Sequence, residues 1–370
     1  MQKDFHFYVV YYLCLCSGLD PDYAYKIAYS SQYVDDSTES RKIYLFDKKG
    51  EEIGFIDPVR TAHNGLESFW QEVWEKIYYP FHFVPGNEGE RIEEKYITTD
   101  GIKNTLAKEL LNLALETQNP YRIGIALHAY ADTFSHQNFS GRWSEVNSVQ
   151  KLLVYSNFSK KMIFNFKLWL LKILRGPIPA IGHVEAYKVP DVPYYNWVYF
   201  NYRNECIPAS NENRYLEFVE NVYRDYLCKL SLQIGGEEPE EFNNFKNKIL
   251  IGINVEGRLK KRCKYWKNLI SEKLGLPKFP KEYEYHRHKW RKEAFLGRVN
   301  WDRKKRLDRR VIKMMPKDNF PQSNWVNFHR FALAHRKEAL KILLDKGLTS
   351  KNIYEQVSKK ITGIYKGEEL

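Results

Sequence analysis

Apolar positions recur at helical spacing over most of this chain. Residues 5 to 17 form one compact apolar run and predict a buried first helix. Pro21 opens a second helix, PDYAYKIAYSSQYVDD, which ends near Asp36. KIYLFDKKGEEIGFID, 42 to 57, alternates apolar and polar positions around KKG and predicts a β-hairpin inserted between helices. GLESFWQEVWEKIY, 65 to 78, returns to helical spacing, and PFHFVPGNEG after it reads as a loop. Thr99 to Gln118 places Leu106, Leu110, Leu113 and Ala114 on one helical face. Pro120 opens the next helix, 143 to 174 reads as helical, and the proline-rich 176 to 195 reads as loop. A stripe from Tyr215 to Leu230 is helical again. GGEEPEE, 235 to 241, marks a boundary, with a basic helix near 241 to 274 and two final helices beyond it. The expected fold is therefore all-α with one small hairpin. It divides into a 1–235 helical domain and a basic 236–370 helical region.

Composition changes this picture in three places. Apolar residues make up 43% of the 370, enough for a substantial core, and aromatics are 15%. The net charge of +12 is uneven. Between Gly257 and Lys317 stand 22 Lys or Arg against 6 Asp or Glu, so the rest of the chain is slightly acidic. Such a block suits phosphate, on a nucleic acid, an anionic membrane surface or an acidic partner. Five cysteines with no CxxC pair argue against a disulfide framework or a thiolate zinc site and fit a reducing, cytoplasmic setting. The start, MQKDFHFYVVYYLCLCSG, reads as a buried helix rather than a signal peptide, because Asp4 and His6 interrupt the apolar run and no A-x-A-like site follows. No transmembrane segment is expected. The closest stretch, MIFNFKLWLLKIL at 162 to 174, is broken by Asn165, Lys167 and Lys172.

The histidines carry the candidate chemistry. LHAYADTFSHQNFSG places His128, Asp132 and His136 at i, i+4 and i+8. On a helix each step of four advances about 40°, so the three side chains converge on one strip. Imidazole and carboxylate are zinc's preferred ligands where thiolates are lacking. An ionised Asp buried between two imidazoles is costly unless a cation compensates it. Three more His–acid groups precede residue 192: Asp4 with His6; Asp35 and Asp36 with His63; and His183 with Glu185 and Asp191. His286, His288, His329 and His335 lack such acids and read as basic-surface residues.

Together, DFH, QYVDD, TAH, PFHF, HAYADTFSHQNFSG and GHVEAYKVPD resemble the zinc-dependent phospholipase C and single-strand nuclease superfamily, most closely an uncharacterised bacterial family of that type. The likeness covers roughly residues 1 to 200 and implies an all-α fold whose zinc cluster cleaves phosphodiesters. By it, His128 and Asp132 match the HxxxD pair, with Asp132 as the bridging carboxylate. His63, with Asp35 or Asp36, completes that metal's shell. His136 and His183 hold a second zinc, with Asp191 or Glu185 as its acid. His6, helped by Asp4, serves a third. The chain departs from the pattern where the superfamily has an N-terminal Trp that donates its amine, and after His183, where Ala186 and Tyr187 stand in place of an acid. His82 has no equivalent there and is an additional ligand or a substrate contact. Two or three zinc ions are implied.

The resemblance implies a metal-dependent phosphodiesterase in which Asp35 or Asp36 orients or deprotonates the attacking water. Two substrate classes stay open. Tyr265, Trp266, Tyr283, Tyr285, Trp290 and Trp301 among the basic residues suit a nucleic acid by stacking and phosphate contact. The 162–174 segment suits peripheral membrane contact and a phospholipid. The rival is a non-catalytic, zinc-stabilised protein that binds nucleic acid or an acidic partner.

Overall fold

The computed structural model of the protein describes residues 1–62, 70–86, 88–156, 181–299 and 312–370. His63, the 162–174 segment and Trp301 lie outside them.

Two capped helices form the centre. Asp20 accepts from the Asp22 and Tyr23 N–H groups, and Pro21 starts the Pro21–Asp36 helix. Asn119 does the same for Tyr121 and Arg122 ahead of the Pro120–Ser135 helix. Gly124 lets these helices touch, since a Cβ there would lie 2.2 Å from the Ile27 carbonyl oxygen. That approach brings Asp35, in the last turn of one, to 3.6 Å from His128 of the other. The first helix begins with a π-helical turn, Asp4–Val9, and continues as Val10–Cys16. The Asn324–Asp345 helix packs on Pro120–Ser135, and Arg122 pairs with Glu338 between them. The Leu259–Lys273 helix packs on Asp4–Val9, where Arg262 binds Asp4 at 2.6 Å.

The described strands are β1 (Ile43–Phe46), β2 (Glu52–Ile56), β3 (Gln150–Ser156), β4 (Tyr195–Phe200), β5 (Cys206–Ser210), β6 (Phe295–Arg298), β7 (Ile312–Pro316), β8 (Gly363–Tyr365) and β9 (Glu368–Glu369). The expected hairpin is β1–β2, with Tyr44 opposite Phe55. It is part of a six-stranded sheet, ordered β6-β7-β1-β2-β8-β9, in which β1 and β7 run parallel. An antiparallel sheet, β3-β4-β5, is separate from it.

The all-α expectation is therefore corrected. Helix accounts for about 53% and strand for 14%, so the fold is mixed α and β. The strands are two to seven residues long, too short for alternation to stand out, and the partners of the hairpin come from the far end of the chain. β3 occupies part of the stretch expected to be helical. The sheet also joins the regions expected on either side of residue 235, because β1 and β2 pair with strands after 295.

A second correction concerns the basic block. Trp266, Trp290 and Tyr285 are buried, so they are core residues and not stacking platforms for a nucleic acid. Trp290 stacks on Tyr29 at 3.8 Å between ring centroids. Likewise His329 and His335 are buried rather than on a basic surface, and only His286 and His288 are exposed. No helix among the described residues is long and apolar enough to cross a membrane.

Candidate metal centre

Five segments converge on Asp132. The Pro120–Ser135 helix presents His128 and Asp132 one turn apart, with His136 at the capping position just past its end. The π-helical turn at the start brings His6, and the end of Pro21–Asp36 brings Asp35. The helical run from Gln71 to Phe81 stops at His82. The turns around Val184–Ala186 and Val189–Asp191 bring His183 and Asp191. Two of these segments pass through π-helical turns, a feature frequent at functional sites.

The distances define one continuous cluster. Asp132 Oδ2 lies 3.3 Å from His82 Nδ1, 3.3 Å from His128 Nε2 and 3.7 Å from His136 Nδ1. Asp132 Oδ1 lies 3.2 Å from His6 Nε2 and 2.8 Å from the Met1 amine, which is 3.1 Å from Asp191 Oδ1. Asp191 in turn faces His136 Nε2 at 3.4 Å and His183 Nε2 at 3.8 Å. Asp35 stands 3.9 Å from His82 Nδ1. Three groups have ligand atoms within 4.8 Å of one another: His6, Asp35 and His128; His82, His128 and Asp132; His136, His183 and Asp191.

Second contacts fix which nitrogen is free. His82 Nε2 donates to the Thr61 carbonyl at 2.8 Å, so Nδ1 is the nitrogen that faces the cluster. His183 Nδ1 donates to the Tyr187 carbonyl at 2.7 Å, and Nε2 faces Asp191. Tyr187 holds that carbonyl from a left-handed conformation, φ 55°, that a bulky residue rarely adopts. His136 Nδ1 bonds the His82 carbonyl at 3.0 Å, leaving Nε2 for Asp191. Both nitrogens of His6 and Nδ1 of His128 are buried with no hydrogen-bond partner. An unmet buried polar atom costs about 1–3 kcal/mol; a neutral ring has one lone pair and one N–H, so a cation would satisfy the His6 nitrogen that faces Asp132, while His128 Nδ1 keeps its proton. The donor set and its anchoring thus fit metal ions, and these buried clusters could hold them.

The electrostatics agree with that fit. Burial works to raise the Asp132 pKa, but His136, the Met1 amine, His128 and His6 outweigh it and hold the carboxyl well below its ordinary value. Burial, then the His128 charge and the Met1 amine, push His6 well down, and burial also lowers His183, so both offer neutral rings. His82 moves the other way, since its bond to Asp132 and the charges of Asp132 and Asp35 overcome burial. Asp35 is pushed up by desolvation even though a third of its side chain faces the cleft.

Among the residues singled out in the sequence, His6, Asp35, His128, Asp132, His136, His183 and Asp191 come together here. Asp4 does not join them, because Arg262 holds its carboxylate. Asp36 turns aside to accept from the Tyr285 hydroxyl at 2.6 Å. Glu185 accepts from the Val149 N–H at 2.6 Å, so Asp191 is the acid beside His183. His82 is more central than its spacing suggested. It comes within 3.1 Å of His128 Nε2, and no sequence signal tied it to a helix 46 residues away.

A cleft of about 830 Å³ opens above the cluster. Asp35, Asp36 and Asp191 lie on its floor, and Lys188, Arg258, Arg262 and Arg287 line its rim. The rim arginines, none of which the sequence reading singled out, come from the basic block.

No curated protein and no solved structure matches the chain. The family model described as DUF6765, a family of unknown function, matches residues 1–343, which include every residue of the cluster, and the chain belongs to that family.

Proposed function

We propose that this protein is a zinc-dependent phosphodiester hydrolase. The observation that carries the reading is the set of buried imidazoles whose outer nitrogens are anchored on carbonyls and whose inner nitrogens converge on Asp132 and Asp191. His136, His183 and Asp191 would hold one ion. His128 offers a single nitrogen to the other two groups, so His82 and Asp132 compete with His6 and Asp35 for it, and two or three ions fit. Asp132, with one oxygen toward His6 and the other toward His82 and His128, is the bridging candidate. Zinc bound there would supply a water of lowered pKa and positive charge for phosphate oxygens.

The chain's own groups divide the remaining work. Asp35 opens on the cleft, and where His128 serves the His82–Asp132 ion it stays free to take a proton from the attacking water. Asp36 is a positioning residue, tied to Tyr285 and within 3.5 Å of the Gln32 amide. Lys188, Arg258 and Arg287 give the cleft a positive rim that draws in an anionic substrate. An open cleft above the cluster favours an enzyme over a closed structural zinc site.

The test is hydrolysis of bis(4-nitrophenyl) phosphate by protein purified without added metal, before and after chelation and zinc return. Activity that is lost on chelation and restored by zinc supports the proposal. Full zinc occupancy with no hydrolysis of this diester, of single-stranded DNA or of phospholipid vesicles would sink it.

A further inference from the structure

Beside the cleft lies a second pocket, of about 380 Å³, that the cluster does not use. Arg41, Arg60, Arg287 and Arg291 line it, and among the described residues Asp36 and Glu39 are its acids. Glu39 is already engaged by Arg41 through both oxygens, at 2.8 and 2.9 Å, and lies 3.9 Å from Arg291. Asp36 accepts from Tyr285. Arg287 makes no ion pair among the described residues and Arg291 has only the distant Glu39 contact, so these two guanidinium groups remain to meet an anion.

His329 supplies an independent observation. It lines this pocket, is 1% exposed, and receives the Val59 N–H on Nδ1 at 3.1 Å. A nitrogen that accepts carries no proton, so the neutral ring bears its hydrogen on Nε2. Burial, foremost among its causes, drives the His329 pKa to about 3, which keeps the ring neutral. That Nε2–H is buried and has no partner. An orphan donor beside these two guanidinium groups calls for an acceptor with several oxygens and negative charge. Arginine forks match phosphate in this way.

The pocket is continuous with the proposed active site, since Asp36 and Arg287 line both spaces. We infer that the arginine pocket is a subsite for a second phosphate of the substrate, so that the enzyme takes a nucleic acid strand, with one phosphate at the cluster and the next group's phosphate among Arg287, Arg291 and His329. A phospholipid with a cationic headgroup offers nothing for this pocket. The substrate half of the inference rests on the hydrolase reading; the phosphate site itself does not.

The experiment separates the two. Full-length metal-loaded protein is titrated with inorganic phosphate by calorimetry, as wild type, Arg291→Gln and Arg291→Lys. The same proteins are assayed on the thymidine dinucleotides TpT and pTpT, which differ by a 5′-phosphate. Phosphate affinity should fall about tenfold in Arg291→Gln and be largely kept in Arg291→Lys, as expected for a charged hydrogen bond. Wild type should show a KM for pTpT about tenfold below that for TpT, and Arg291→Gln should lose the preference. Equal phosphate affinity in wild type and Arg291→Gln would place phosphate at the cluster alone and overturn the inference. So would hydrolysis that ignores the 5′-phosphate. If neither dinucleotide is cleaved while Arg291→Gln still weakens phosphate, the pocket stands and the hydrolase reading falls.

Discussion

The floor and the rim of the cleft come from opposite parts of the chain and are built by different rules. The floor, from His6 to Asp191, is largely buried, made of imidazole and carboxylate, and braced by carbonyls such as those of Thr61 and Tyr187. The rim draws on Arg258, Arg287 and their neighbours in the basic block, with guanidinium groups facing open space. Floor groups are expensive to bury without positive charge among them, which the Met1 amine supplies in part and metal ions would complete. Rim groups cost little, and their charge acts on what arrives. Arg262 and Tyr285 of the basic block reach across, to Asp4 and to Asp36. Arg262 does so from the Leu259–Lys273 helix and also binds Gln2. Arg258, Arg262 and Arg287 of the basic block thus help to wall the site.

Substitutions should separate the two regions. The largest effect belongs to the floor. Asp132→Ala should lower bound zinc and reduce diester hydrolysis by roughly a hundredfold or more, since it removes the carboxylate shared by His6, His82 and His128. Elemental analysis and a turnover assay on the same sample check this, and full zinc with full activity would remove Asp132 from the centre.

The tie between floor and rim comes next. Arg262→Ala would leave Asp4, 1% exposed, without its partner, and breaking such a buried pair costs about 3–5 kcal/mol. Denaturant unfolding reads that loss directly. A cost below about 1 kcal/mol would mean that the pair is no stronger than a surface one.

Gly124→Ala tests how closely the two central helices must approach. The new Cβ would press on the Ile27 carbonyl, at a cost of about 1–3 kcal/mol, and would push Asp35 away from His128. Reduced stability together with reduced zinc affinity is the expected pair of results. Lost stability with unchanged zinc affinity would show that Asp35 is not a ligand.

The smallest effect should fall on the rim. Arg258→Gln is expected to raise KM by roughly two- to fivefold, with an effect that fades in salt, because a screened surface charge is worth about 0.2–1 kcal/mol. Zinc content should not move. A rim variant that lost zinc would erase the distinction between the regions.

How much of this could be read in the sequence follows from how local each feature is. Asp20-Pro21 and Asn119-Pro120 announce their helices because capping acts within a turn. His128, Asp132 and His136 announce for the same reason that they lie together, and the β1–β2 hairpin is visible from its own alternation and turn. The partners of that hairpin are not, since β7 and β8 are short and pair across some 250 residues or more. His82 reaches Asp132 from another helix, which no spacing encodes. The aromatic residues of the basic block misled by composition. Trp266 and Trp290 alternate with lysines and arginines because the helix and turn that carry them present one face to the core and the other to water.

The central claim is that the floor is a metal centre organised on Asp132. Its most direct test is elemental analysis of full-length protein purified without added zinc, as wild type and as Asp132→Ala. The account predicts two or three zinc ions per chain, with at least one lost in the variant. Less than about half an ion in wild type, with no further uptake on zinc titration, would contradict it.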